Sequence, residues 1–317
     1  MFTIIMSMLL STFIVFILGP IVIPMLKKLK FGQTVRDCGP QTHLSKNGTP
    51  TMGGIMIIIA ILLSTIIFAE FSFYTFISLI SMLGFGLVGF LDDYIKVVKK
   101  RSLGLRAVEK IFLQVFFAVL IPASQYYFMP EKTGLLVPFT TYYLDLGWLY
   151  IPFMAFVIIG TVNAVNLTDG LDGLSSSVTV IVSLFFIIIS MIWNFEDVSV
   201  FSAAVTGACI GFLIYNKYPA KVFMGDTGSM ALGGAVVGMA CLTNLSLLIP
   251  IVGGIYFIEA LSVIIQVASF KLRGKRVFKM APIHHHFEQC GWNETKVVKS
   301  FCISAIILFG IGLLSVL

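Results

Sequence analysis

The chain has 317 residues, of which 58% are hydrophobic and only 11% charged, with a mean hydropathy of +1.01 and a formal net charge of +6. Soluble domains carry about 25% charged residues, so this composition excludes a soluble globular protein and predicts an all-α polytopic membrane protein. No tract between the apolar runs is long enough for a separate soluble domain, so residues 1–317 are expected to form a single integral membrane domain, and no nucleic-acid partner is expected.

Runs of about 20 apolar residues mark spans. Ten are predicted, over 2–26, 53–69, 72–91, 111–129, 149–165, 175–193, 199–216, 228–245, 247–270 and 299–316. The first lacks a basic leader and is too long for a cleavable signal, so it reads as a span. Pro20, Pro24 and Gly160 are candidate kinks, which membrane helices tolerate. The five cysteines, Cys38, Cys209, Cys241, Cys290 and Cys302, show no C-x-x-C spacing; three lie in apolar spans, and they read as small buried or incidental residues. The loops after spans 1, 3, 5, 7 and 9, with their flanks, hold every Lys and Arg except Lys132. Positive-inside logic places those loops in the cytoplasm and both termini outside. Of the outer loops only 130–148 is long, and its V-P-F-T-T-Y-Y-L-D-L-G stretch predicts a small hairpin.

The polar chemistry lies in the basic loops. The first ends H-L-S-K-N-G-T-P-T-M-G-G (43–54). Thr49 and Pro50 read as N-cap and first residue of span 2, which leaves Lys46 and the paired glycines unexplained. In F-L-D-D-Y (90–94), Asp92 and Asp93 fall where span 3 ends. A helix C-terminus is already negative, and pairing with Lys96 is worth only a few tenths of a kcal/mol. Two adjacent carboxylates can instead share a proton or bind a cation. The basic residues after them, Lys99, Lys100, Arg101, Arg106 and Lys110, suit anionic headgroups or phosphates.

In N-A-V-N-L-T-D-G-L-D-G-L (163–174), Asn163, Asn166, Asp169 and Asp172 recur every third residue. On a helix such positions drift about 60° per step and stay near one face. Gly170 and Gly173 let the backbone come close to a ligand, so the stretch reads as a ligand site at a membrane surface. In M-G-D-T-G-S, Asp226 either N-caps span 8 or holds Mg²⁺ against a phosphate at a helix N-terminus built with Gly225, Thr227, Gly228 and Ser229. Residues 271–281 are basic and partly apolar, as an interfacial segment would be. His284, His285 and His286 are consecutive and so cannot all face one metal; hydrogen bonding to an anionic ligand fits them better. Glu259 is ionisable at membrane depth, a functional candidate by default or a neutral hydrogen-bonded carboxyl, and the sequence names no partner for it.

Together G-T-P-T-M-G-G, F-L-D-D-Y, N-x-x-N-L-T-D-G-L-D-G-L, M-G-D-T-G-S and P-x-H-H-H-F-E, in this order along the whole chain, resemble the phospho-N-acetylmuramoyl-pentapeptide transferases. These belong to the polyprenyl-phosphate N-acetylhexosamine-1-phosphate transferase superfamily. The resemblance implies an Mg²⁺-dependent reaction of UDP-MurNAc-pentapeptide with undecaprenyl phosphate that gives lipid I and UMP. It also implies a homodimer in the bacterial cytoplasmic membrane with its site facing the cytoplasm. By the resemblance Asp226 is the Mg²⁺ ligand, Asp92 and Asp93 are essential carboxylates with Asp92 activating the lipid phosphate, and His284 joins them as catalytic. Asp169, Gly170, Leu171 and Asp172 match a nucleoside pocket in which Phe223 stacks on uracil. Lys46, Lys110, Asn166, Asn216, His285 and His286 match further substrate contacts. The chemistry is consistent: a phosphate must attack a diphosphate, and the two anions cannot approach without cations. Two rivals are weighed. A sister enzyme would transfer GlcNAc-1-phosphate. A transporter would want polar residues through the membrane depth, where only Glu259 stands.

Overall fold

The computed structural model describes residues 1–29, 46, 48–97, 99, 104–129 and 133–317. The first half of the chain forms α1 (Phe2–Lys28), α2 (Gly54–Phe68), α3 (Phe73–Val97), α4 (Ala107–Phe128), α5 (Tyr150–Thr168) and α6 (Leu174–Ile192). The second half forms α7 (Glu196–Asn216), α8 (Gly225–Leu242), α9 (Ile249–Val252), α10 (Gly254–Arg273), α11 (Ile283–Gln289) and α12 (Glu294–Leu314). Among the described residues eight helices are long and apolar enough to cross a membrane, and the 15-residue α2 is a shorter apolar helix. The chain is an all-α polytopic membrane protein.

Each of the ten predicted runs finds a helix, with three adjustments. The ninth is broken: a 3-10 turn (Ser246–Leu248) and the single turn α9 precede Gly253, and only then does α10 begin. Pro250 at the start of α9 and the Gly253–Gly254 pair explain the break. The third run continues past its predicted end to Val97, which puts Asp92 and Asp93 inside α3. The fourth starts early, at Ala107, which puts Lys110 in the first turn of α4.

Helix α8 lies at the centre. Every residue from Thr227 to Leu242 is buried, against α3, α5 and α2. Lipid tails are as apolar as the helices, so close packing of small residues replaces a hydrophobic driving force between them. A β-carbon on Gly234 would lie 2.3 Å from the Ser81 carbonyl oxygen, and the Ser81 hydroxyl donates to the Gly234 carbonyl at 2.6 Å. The α1–α7 pair uses the same device: Ser11 donates to the Ala204 carbonyl at 2.7 Å and Thr12 to that of Gly207 at 2.9 Å.

The outer hairpin forms as read. β1 (Leu135–Leu136) pairs antiparallel with β2 (Tyr143–Leu144), and Leu136 N–H donates to the Asn244 carbonyl beyond α8. Cys209 and Cys241 are buried, Cys302 is half-buried and Cys290 is exposed; all four are free. Cys38, Lys30, Arg36, Lys100, Arg101, Glu131 and Lys132 lie outside the described residues.

Candidate active site

The C-terminal ends of α3 and α5 and the N-terminal ends of α4 and α8 meet at one end of the bundle. They can do so because α3 and α8 touch backbone to backbone: a β-carbon on Gly89 would lie 2.0 Å from the Asp226 carbonyl oxygen. Asp93, one turn on, then caps α8. Its Oδ2 accepts from Thr227 N–H at 2.8 Å and from the Thr227 hydroxyl at 2.7 Å. A carboxylate at the positive end of a helix is favourably placed, which is why Asp93 is tolerated at 3% exposure. Asp226 therefore does not cap α8, as the sequence allowed. It sits in the first turn, with Met224 as N-cap residue, and its side chain is free to face the hollow.

Ligand oxygens of Asp92, Asp93 and Asp226 lie within 4.8 Å of one another. Lys96 and Lys110 come in from α3 and α4. Their ammonium groups lie 3.0 and 2.8 Å from Asp226 Oδ2, and Lys96 also pairs with Asp92. Asp92 Oδ1 accepts from Leu105 N–H at 2.9 Å. Asn166, from α5, donates to Asp226 Oδ1 at 3.0 Å and to the Ser229 hydroxyl at 2.8 Å. Three converging carboxylates repel unless cations or protons sit among them. The two lysines meet part of that need, and an all-oxygen donor set of this kind fits a hard divalent cation. The carboxylates could hold a metal. With Asp93 committed to Thr227, Asp226 and Asp92 are the better placed to do so.

A second cluster grows from the end of α5. The helix stops at Thr168, so the one-face argument for residues 163–172 holds only for its first members. Asn163 is turned to α4, where it donates to Gln114 Oε1 at 2.9 Å, and has no part in the site. Asp172 is carried away from the helix face by the glycine-rich turn. Gly173, at φ 76°, needs its glycine, and its N–H donates to Asn216 Oδ1 at 3.1 Å. Asp172 accepts from Lys46 Nζ at 2.7 Å and from Ala220 N–H at 2.9 Å. Glu294, at the start of α12, accepts from the same Lys46 Nζ at 2.7 Å and from Asp172 N–H at 2.6 Å. Burial alone would lower the Lys46 pKa, but these two carboxylates outweigh it and hold the ammonium above its ordinary value. Phe223 is anchored by its backbone: it donates to the Pro50 carbonyl at 2.8 Å and accepts from Gly53 N–H at 2.9 Å. The Thr49–Pro50 helix start is thereby corrected. These bonds hold the stretch outside the helix, with Met52 at φ 69°, and α2 begins only at Gly54.

Asp169 connects the two clusters. Burial first, and then the charges of Asp226, Asp93 and Asp172, push its carboxyl well above the usual carboxylate range. A carboxyl raised on folding lowers stability as pH climbs above its unfolded value, and the penalty is absent in acid. Asp169→Asn is accordingly expected to raise the melting temperature of the unliganded protein at neutral pH. The gain should shrink as pH falls toward about 3.9, the ordinary aspartate pKa. Equal melting temperatures of the two proteins at neutral pH would contradict this.

The three histidines, about 100° apart on α11, take three directions. His284 is fully buried and its Nδ1 lies 3.0 Å from Glu259 Oε2. Its other nitrogen faces Gly170, where a β-carbon would lie 2.2 Å from Nε2. His285 Nδ1 pairs with Glu288 Oε2 at 2.7 Å. His286 Nδ1 accepts from Lys279 N–H at 3.2 Å, and its ring meets Phe278. Of the candidate residues, then, Asp92, Asp93, Asp226, Lys110 and Asn166 form one group, and Lys46, Asp172 and Asn216 a second. Asp169, Gly170 and His284 lie between. Leu171 is buried in the hydrophobic core and His286 points elsewhere. Lys96 and Glu294 were not foreseen as site residues. The i,i+4 spacing of Asp92 and Lys96 was visible, but its reach to Asp226 was not; nothing local marks Glu294.

The Glycosyl transferase family 4 model matches residues 74–244, more than half of the chain, and the Phospho-N-acetylmuramoyl-pentapeptide-transferase signature 1 matches residues 46–58. A phospho-N-acetylmuramoyl-pentapeptide-transferase of Clostridioides difficile is 58% identical over 309 residues, covering 97% of this chain and 96% of the relative. Relatives of the same name from Caldanaerobacter subterraneus and Bacillus pumilus are 54% and 50% identical, over 96% and 99% of this chain and 96% of each relative. The chain therefore belongs to the phospho-N-acetylmuramoyl-pentapeptide-transferase family of membrane phosphotransferases.

Proposed function

We propose that the protein transfers phospho-MurNAc-pentapeptide from UDP-MurNAc-pentapeptide to undecaprenyl phosphate, releasing UMP and forming lipid I, the first membrane step of peptidoglycan synthesis. The observation that carries the reading is the meeting of Asp92, Asp226, Lys96 and Lys110 at the bundle end that also holds the Lys46–Asp172–Asn216 cluster. A phosphate-handling centre thus adjoins a pocket of hydrogen-bonding groups suited to a nucleoside. Asp169, Gly170, Asp172, Asn216, Lys46 and the backbone of Leu171 line that pocket, with Phe223 stacking on the uracil. His285 serves the sugar-peptide side, while His286 is turned to Lys279 and Phe278.

In the reaction a P–O bond forms from the lipid phosphate to the sugar-bearing phosphorus, and the bond from that phosphorus to UMP breaks. Asp92, held by Leu105 N–H, takes the proton of the lipid phosphate. Lys96 and Lys110 offset the charge of the approaching anions. Asp93 keeps α8, and with it Asp226, in place. Mg²⁺ held by Asp226 beside Asp92 would neutralise the diphosphate and the departing UMP. Direct attack predicts no phospho-MurNAc-peptide adduct on the protein when lipid is withheld; isolating one would replace it by a two-step route.

On this reading the whole chain is one catalytic domain of the bacterial inner membrane, functioning as a homodimer, with the hollow open to the cytoplasm and both termini outside. That orientation is supported by the basic loops, which share the site's end of the bundle. The test supplies protein in lipid nanodiscs with undecaprenyl phosphate, Mg²⁺ and either UDP-MurNAc-pentapeptide or UDP-GlcNAc. UMP is expected from the first alone. Equal release from UDP-GlcNAc would favour the sister transferase, and uptake of unaltered substrate into vesicles would favour a transporter.

A further inference from the structure

Helix α10 is mostly exposed along its length, yet its one acidic residue, Glu259, is fully buried on the face turned to the bundle. Among the described residues its Oε2 has a single side-chain partner, His284 Nδ1 at 3.0 Å, and its Oε1 has none. His284 is equally buried, and its Nε2 also lacks a hydrogen-bond partner. That nitrogen is aimed at the Asp169–Gly170 turn, so closely that a β-carbon on Gly170 would overlap it. A buried carboxyl at membrane depth is costly and marks function by default. A buried polar nitrogen left unpaired beside a ligand pocket is an unmet hydrogen bond that a ligand can supply.

We propose that Glu259 is a positioning residue: it accepts a hydrogen bond from His284 Nδ1–H, locks the imidazole in that tautomer and orientation, and so presents Nε2 to substrate at the Asp169–Gly170 turn. The same logic orients any imidazole whose working nitrogen is set by the hydrogen bond of the other. Because a β-carbon at position 170 would occupy the space in front of Nε2, the glycine there keeps that approach open. The proposal deepens the transferase reading and rests on it.

The chain contains four histidines, so selective ¹⁵N-histidine labelling of the full-length protein in nanodiscs gives four imidazole signals. The His284 ring, identified as the signal that vanishes in His284→Gln, is expected as the Nδ1–H tautomer; His285, whose Nδ1 also faces a carboxylate, keeps its own signal in that variant. An Nε2–H tautomer for that ring would overturn the proposal whatever the activity assay shows. In turnover assays Glu259→Ala should lower kcat about as far as His284→Ala, with the KM for UDP-MurNAc-pentapeptide changed little. The double variant should fall no further than either single one, since residues acting as a unit are not additive. Glu259→Gln, whose amide oxygen still accepts from Nδ1–H, should retain most of the activity. Full turnover in Glu259→Ala beside a crippled His284→Ala would overturn the pairing and leave the transferase reading standing. Full turnover in His284→Ala would remove His284 from the reaction and the proposal with it. A double variant weaker by the product of the two single losses would assign the residues separate roles and reject the proposal, even if Glu259→Ala proves unstable in detergent.

Discussion

Asp226→Asn is expected to lower Mg²⁺-dependent UMP release by roughly a thousandfold or more, the scale seen when a preorganised charge at a reacting centre is removed. The fold should survive. Asn166 keeps Ser229 as a partner, Asp93 still caps α8 through Thr227, and Lys96 and Lys110 still face Asp92. The loss therefore falls on metal and phosphate chemistry rather than on packing. The substitution also removes a charge to which both lysines are bound, at 3.0 and 2.8 Å, so the lysines gain freedom but cannot replace a metal. Turnover near that of the wild type, measured at saturating Mg²⁺ with the melting temperature unchanged, would reject Asp226 as the metal ligand.

Gly89→Val should have the second large effect, through the backbone. The β-carbon alone would stand 2.0 Å from the Asp226 carbonyl oxygen and 2.8 Å from Thr227 N. Neither atom belongs to a flexible side chain, so α3 and α8 must separate. Overpacking commonly costs about 1–3 kcal/mol, occasionally more. Here the strain enters between Asp92–Asp93 and Asp226, and even a small shift of a carboxylate can cost about a hundredfold in rate. Both a lower melting temperature and a loss of activity are expected. A contrasting Gly160→Ala, where a β-carbon meets nothing within 4 Å, should leave both unchanged. A Gly89→Val protein as active as the wild type would show that α3 and α8 do not cross as described.

The helices were legible because apolar length is dictated by bilayer thickness, and each run found its helix. Their polar ends were less so, because local rules were overridden by contacts far along the chain. Asp92 and Asp93 looked misplaced at a helix C-terminus. Asp93 is stable there because it caps a different helix 134 residues away. Thr49 and Pro50 carry the marks of a helix start, yet α2 begins only at Gly54, because Phe223 holds the backbone of Pro50 and Gly53. The three-residue repeat from Asn163 to Asp172 marks the polar end of α5 and the turn that follows it. It could not show that the helix ends at Thr168 and sends the four polar residues to different neighbours. Glu259 stood alone in the sequence because its partner, His284, lies 25 residues on and beyond a chain reversal. Glu294 gave no signal at all: an acidic residue in the first turn of a helix has an ordinary local explanation.

The central claim is that one hollow holds a divalent cation on Asp226 in contact with the diphosphate of the nucleotide sugar. Mn²⁺ in place of Mg²⁺ tests it directly. Electron–nuclear double resonance of the full-length protein with Mn²⁺ and UDP-MurNAc-pentapeptide should show ³¹P couplings from directly bound phosphate oxygens. Those couplings should disappear in Asp226→Asn and persist in Asp169→Asn. Bound Mn²⁺ without ³¹P coupling, or coupling undiminished in Asp226→Asn, would contradict the account.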